Sequence, residues 1–436
     1  MKINHLKKII RKWPAYEKFL EKRGINLLKV KKISDLPVVD KEFISWAIHS
    51  LPLYKVKNII PSSGSAGNSF SFGLFGDTDL RRSTNSIDTV LQTRFNTGHK
   101  KTLLLNMMPG SFSLHSSSVS VASVGVRTDT AISVIKSFGS SFDQMILVGE
   151  PLFLKSLIEL GVQESISWQY LPLYIIVGGE WTPESYGNYI ETFVGPQRVI
   201  SSMGMAELGL GYFYETEETI MLRHMLFRER EVFKKLFGDL DFCPMIFAYD
   251  ENEVFAESVI EPDSNMGSIV LSTVNPDRTL PLIRYKCGDK GEILSGEQIN
   301  RVLKEYGHIP LLSSPDTKIL AHFGRGKSTS NIYPEQIKEI IFDNWEIAAT
   351  TTGNFKLSKS SGSVQLAVQL KQGILPDHVW EDKYKQAFLN LPLKIKLYSF
   401  TQFPHLLDFE RKVNYVYESD PRGKSGRQAE SLSAAL

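Results

Sequence analysis

Apolar residues recur at helical spacing near the start of the chain: Leu6, Ile9, Ile10 and Trp13, then Tyr16, Phe19 and Leu20. Pro14 interrupts the run, so two helices are predicted rather than one, with Gly24 as a C-terminal cap. A longer helix is predicted over Thr78–Phe95, capped by Asp77 or Thr78. Three short apolar runs, KTLLLNMMP (101–109), QMILVGEP (144–151) and LYIIVGGE (173–180), are bounded by turn residues and read as buried strands. SLIEL (156–160) reads as part of a helix between two of them. Short buried strands alternating with helices predict an α/β layered fold.

From Asn252 to Leu294 the period shortens to two. EVFAESVI, GSIVLSTV, PLIRYKCG and KGEILS predict a smaller antiparallel or barrel-like sheet. HFGRGKSTSN, beginning at His322, is a glycine-flanked joint. Beyond it the pattern predicts a helix over 334–342, strands over 345–352 and 363–371, a helix over 377–389 and a strand over 394–399. The expected organisation is a large N-terminal domain of layered α/β sheets with a β-rich subdomain (1–323), then a small α+β domain (324–420). A disordered tail is expected over 421–436, which is rich in Ser, Gly and charge.

Composition narrows the class. A chain of 436 residues exceeds what one core usually holds, and 42% hydrophobic with 22% charged residues is ordinary for a soluble globular protein. A net charge of +2 does not suggest a nucleic-acid binder. The basic excess before Lys41 reads as the solvated faces of amphipathic helices. Cys243 and Cys287 have no CxxC partner, which argues against a disulfide framework or a zinc ribbon. The N-terminus lacks the apolar core of a secretory signal, and no run is long enough for a membrane span, so a cytoplasmic location is expected.

Five segments could carry chemistry. PSSGSAGNSF (61–70) stacks Ser62, Ser63, Gly64, Ser65 and Gly67, which suits a phosphate-cradling turn or a plain flexible loop. SSMGMAELG (201–209) puts Glu207 after a small-residue turn, suited to Mg²⁺ beside a polyphosphate or to a helix N-terminus. YKCGDKGEI (285–293) puts Asp289 in a glycine-bracketed turn, suited to ribose hydroxyls or to an ordinary hairpin. Arg325 at the joint and Lys412 in LDFERKVNYV complete the set.

The order of these segments resembles the adenylate-forming superfamily, and in particular its phenylacetate–CoA ligase-like branch. VGGEWTPESYGNYI, PLIRYKCGDKGEI and NIYPEQIKEIIF carry the likeness to that branch, which extends over about residues 10 to 418. The resemblance implies an adenylate-forming enzyme fold with a mobile C-terminal lid, ATP and Mg²⁺ as cofactors, a small carboxylic acid as substrate and coenzyme A as the acceptor. An acyl carrier protein or an amine is the other acceptor it allows, and a degenerate nucleotide-binding relative without turnover is a third reading. Homodimers are common among such proteins.

Carried over by position, Ser62, Ser63, Gly64, Ser65 and Gly67 would hold the β- and γ-phosphates, and Gly178, Gly179 and Glu180 would line the adenine pocket. Ser202, Met203, Gly204 and Glu207 would sit at the α-phosphate and nucleotide, with Glu207 on Mg²⁺. Asp289 and Arg325 would bind ribose, Lys412 would be the catalytic lysine, and Phe112, Trp181 and Met205 would wall the acid pocket.

Departures from the family pattern cluster in three places. Ala66 and Asn68 stand where Thr and Lys are common, and Met203 stands where Tyr is usual. At the hinge, GRGKSTSNIYPEQI carries Lys327 and a shortened hairpin, so the adenylation half looks better preserved than the transfer half.

Overall fold

The computed structural model describes residues 3–62, 71–109, 114–262, 264–360, 362–405 and 407–417. The tail expected over 421–436 lies outside them.

The chain opens with helices Ile3–Arg11 and Pro14–Lys22, divided at Pro14 as the pattern predicts. A two-stranded hairpin follows, β1 (Asn58–Pro61) and β2 (Phe72–Phe75). The long helix spans Asp77–Phe95, but its N-cap is Gly76, whose N–H donates to the Asp79 carboxylate at 3.0 Å. Neither Asp77 nor Thr78 is the cap.

Eleven strands among the described residues form the main sheet: β3 (Thr102–Met107), β4 (Ser120–Ser123), β5 (Gln144–Gly149), β6 (Leu173–Val177), β7 (Val199–Met205), β8 (Gly209–Tyr214), β9 (Met245–Tyr249), β10 (Val254–Val259), β11 (Ser268–Thr273), β12 (Tyr285–Ser295) and β13 (Lys318–His322). Their order is β10-β11-β12-β13-β9-β8-β7-β6-β5-β3-β4. The half from β7 to β4 is parallel and the half from β7 to β10 is antiparallel. The strands expected as a separate small sheet are thus hydrogen-bonded edge-on to the parallel ones.

Two strands make this continuity by changing partner midway. β7 pairs with β6 through Val199–Ser201 and with β8 through Ser202–Met205. β12 pairs with β11 up to Lys290 and with β13 from Gly291 onward. The register of β12 shifts between Lys286 and Lys290, where Gly288 has φ of +96°, a conformation that side chains disfavour. Asp289 therefore sits on a bulge inside one strand, not in a turn between two.

Beyond the joint, the helix Pro334–Asp343 is followed by a helix Trp345–Thr350, where a strand was expected. The Asn344 side chain accepts from Ile347 N–H at 3.1 Å, and this N-cap with the following Ala pair overrides the apolar run. A four-stranded sheet comes next: β14 (Thr351–Ser360), β15 (Ser363–Leu370), β16 (Leu393–Tyr398) and β17 (Val416–Tyr417), in the order β16-β15-β14-β17.

The two sheets are joined by one apolar core. Phe342 meets Tyr186 edge-on at 5.0 Å, and Phe409 meets Phe153 at 5.3 Å. Polar links run alongside: buried Lys155 donates to the Thr351 carbonyl at 2.7 Å, and Lys371 pairs with Glu159 at 2.7 Å. Both cysteines are free. Among the described residues no helix is long and apolar enough to cross a membrane.

Candidate active site

The two strands that change partner border a cleft of about 410 Å³. β7 contributes Ser202, Met203 and Gly204, β12 contributes Asp289, and β13 contributes His322. The loop after β6 adds Gly179, Glu180 and Trp181; the joint adds Arg325; the C-terminal loop adds Lys412. Strand ends at a break in sheet topology leave side chains and backbone groups free to face a ligand.

Charge is dense here. Glu180 lies 3.4 Å from Lys338 Nζ and 3.7 Å from the Arg325 guanidinium. Lys338 also donates to the Trp181 carbonyl at 3.0 Å and sits 4.4 Å from the centre of the Tyr415 ring. Burial would raise Glu180, but the charges of Lys338, Arg325 and Lys412 outweigh it and hold the carboxyl below its ordinary range. Asp289 behaves alike: burial is opposed by the His322 ring, 3.5 Å away, and by Lys412 and Arg325, leaving it at about 2. Both carboxylates are therefore ionised at neutral pH and able to accept hydrogen bonds from hydroxyls.

A second corner adjoins it. Glu207 is buried at the turn between β7 and β8, and its Oε1 accepts the hydroxyls of Ser71 and of Tyr285, the latter at 2.6 Å. Tyr285 lies on the same strand as Asp289, so one strand touches both corners. Ser71 N–H donates to the Ser62 hydroxyl oxygen at 3.0 Å, and Ser62 N–H donates to the Ser71 carbonyl at 2.8 Å. That pair stands beside Glu207. The approach is backbone-tight: a Cβ on Gly73 would lie 1.8 Å from the Ala206 carbonyl oxygen. Ser63, Gly64, Ser65, Ala66, Gly67 and Asn68 lie outside the described residues, as does Phe112.

The remaining residues fall as follows. Gly178 does not line the cleft; it donates its N–H to the Gly149 carbonyl at 3.0 Å, and a Cβ there would be in ordinary contact with Ser202 at 3.4 Å. Trp181 lines the cleft, with its indole N–H on the His322 carbonyl at 3.3 Å. Met205 does not line it; the register of β7 shifts after Met203 and Met205 packs against the core. Lys327 borders an adjoining cavity of about 330 Å³ with Glu335, Lys338 and Asn414.

His322, Lys338 and Ser71 carry no signal in their local sequence; only folding brings His322 to the cleft, Lys338 to Glu180 and Ser71 to Glu207. Tyr285 was visible as the first residue of Y-x-x-G-D but without an assigned partner.

Among the described residues no cluster of three metal-ligating side chains occurs. A single carboxylate such as Glu207 would suit an ion like Mg²⁺, which takes most of its ligands from waters and phosphate oxygens.

No protein-family model matches the chain, and no curated protein matches it in sequence. Solved structures match in fold. A 2-hydroxyisobutyryl-CoA ligase in the postadenylation state, in complex with R3-HIB-AMP, aligns with a TM-score of 0.67 at 14% identity, over 96% of this chain and 88% of that one. The same ligase with 2-HIB-AMP and CoA, in the thioesterification state, aligns with a TM-score of 0.55 at 15% identity, over 95% and 88%. The anthranilate CoA ligase AuaEII in complex with anthranoyl-AMP aligns with a TM-score of 0.51 at 10% identity, over 91% and 77%. The chain has the adenylate-forming enzyme fold.

Proposed function

We propose that this protein is an ATP-dependent acid ligase that activates a carboxylic acid as an acyl-adenylate with release of pyrophosphate. The observation that carries this reading is the convergence of Asp289, Arg325, Lys412 and Glu180 on one cleft, with Glu207 tied to the same strand through Tyr285. In this reading Asp289 and Arg325 take the ribose, and Gly179, Glu180 and Met203 border the adenine. The segment Ser62–Gly67 takes the leaving diphosphate. Ser202 and Gly204 sit at the α-phosphate, where Glu207 would hold Mg²⁺, which supplies positive charge between the phosphates. Trp181 forms part of the acid pocket.

The reaction joins two anions, the acid's carboxylate and the α-phosphate. Positioning and charge stabilisation are therefore the main requirements. Lys412 reaches the cleft from the loop before β17, and in this reading the C-terminal sheet is the mobile lid that brings it there.

In the second step the acyl group passes to a thiol, with coenzyme A as the co-substrate. One observation favours the alternative of a carrier-protein thiol or an amine. Between Arg325 and Pro334 the chain makes only a tight turn, with Thr329 bridged to Ile332 and both Ser330 and Asn331 at positive φ. No hairpin arm is present there to enter the site. A location in the cytoplasm and a homodimer belong to the same proposal.

Carboxylate-dependent ATP–pyrophosphate exchange across a panel of acids tests the first step. Exchange with one class of acid is the expected result, and none with any acid would leave a nucleotide-binding protein. Adding coenzyme A, a carrier protein or amines to the active acid then separates the acceptors.

A further inference from the structure

His322 closes β13 and faces the cleft beside Asp289. It is 6% exposed, yet neither ring nitrogen has a hydrogen-bond partner among the described residues. A buried imidazole unpaired on both sides is costly unless a ligand completes it. Its Nε2 stands 3.5 Å from Asp289 Oδ2, too long for a good hydrogen bond and close for an opposite charge.

The strand beneath it is fixed. β13 pairs with β12 on one side and β9 on the other, and the His322 carbonyl takes the Trp181 indole N–H. The charged groups sharing the cleft with the ring are Asp289 from β12, Arg325 from the joint, Lys412 from the C-terminal loop and Glu180 from the loop after β6. Lys338 stands behind Glu180 and offsets its charge. Asp289 is thus the group nearest the imidazole that can accept a proton-bearing nitrogen.

We propose that His322 is a nucleotide-contacting residue of this cleft: one ring nitrogen faces Asp289 and the other hydrogen-bonds the bound nucleotide. This rests on the nucleotide reading of the cleft. Through Asp289 the same residue orients the carboxylate assigned to the ribose.

Calorimetric ATP binding to the full chain tests this with His322→Phe and His322→Gln. Phe keeps the volume and apolar contacts but makes no hydrogen bond. Gln keeps a side-chain donor and acceptor, and it covers the case in which the Phe variant fails to fold. The Phe variant should bind ATP about tenfold more weakly than the wild type, and the Gln variant should recover part of that loss. Equal affinities of the wild type and the Phe variant, or a folded Gln variant that binds no better than the Phe variant, overturn the proposal. Absence of any ATP binding by the wild type would instead overturn the nucleotide reading, and this inference with it.

Discussion

Two layers of carboxyl groups lie around the joint between the sheets, and they respond to burial in opposite ways. At the cleft wall, Glu180 and Asp289 are held low. One layer behind, burial pushes Glu150, Glu335 and Glu339 up to about 7. Depth does not separate the layers, since all five are desolvated. Partners do. Glu180 has Lys338 and Arg325 within 4 Å, and Asp289 has the His322 ring. The nearest hydrogen-bond donors to Glu150 and Glu339 are neutral: backbone N–H of Leu152 and Phe153 for one, and of Ser185 for the other. Glu335 Oε2 has no hydrogen-bond partner among the described residues. Paired charge close at hand beats desolvation, and single hydrogen bonds do not. The front layer is therefore suited to face a ligand as anions, while the rear layer, raised to about 7, is only partly ionised near neutral pH.

Four variants would break or sharpen this contrast. The largest effect is expected from Lys412→Ala, which removes the cation shared by Asp289 and Glu180. Pyrophosphate exchange should fall about a hundredfold or more. Unchanged exchange would take Lys412 out of the mechanism.

Gly73→Ala comes next. Its Cβ would overlap the Ala206 carbonyl oxygen, a backbone atom at 1.8 Å, and push the hairpin off the Glu207 turn. Exchange should drop on the order of tenfold or more, because a displaced charge-stabilising group loses most of its effect. AMP binding at the sugar end should hold. Equal losses in both would mean that the two corners are not separable.

Asp289→Asn should weaken ATP binding by about tenfold. It also carries a stability signature. A carboxyl held at about 2 lies below its unfolded value of about 3.9, so it stabilises the fold above about pH 4 and loses that contribution as pH falls toward 2. The variant should be less stable than wild type at neutral pH, and denaturant melts of the two should converge near about pH 2.

The smallest effect is expected from Glu335→Gln. A carboxyl raised to about 7 from an ordinary value of about 4.3 costs stability as pH rises between those limits. The Gln variant should unfold at a higher temperature than wild type near about pH 8 and match it near about pH 4. Identical midpoints at both would mean that Glu335 is ionised in the fold.

Much of the fold was legible because local chemistry and global structure agree there. The paired helices split by Pro14 and the buried strands at 102–107, 144–149 and 173–177 follow directly from period and punctuation. Reading failed where neighbours decided the outcome. Residues 345–350 carry an apolar run that fits either state, and the Asn344 cap turned it to helix. The glycines around Asp289 signal a turn, but pairing on both sides of β12 made them a bulge.

The sequence by itself determined the alternation of α/β elements and the order of the segments that carry Glu180, Glu207, Asp289, Arg325 and Lys412, since periodicity and turn chemistry act over a few residues. Only the tertiary structure decided that Lys338 stands behind Glu180, that Tyr285 bridges to Glu207 and that His322 faces Asp289. Those contacts join positions up to 158 residues apart, such as Glu180 and Lys338. Charge and hydrogen bonding act through space over a few ångströms, a distance that no local pattern along the chain encodes.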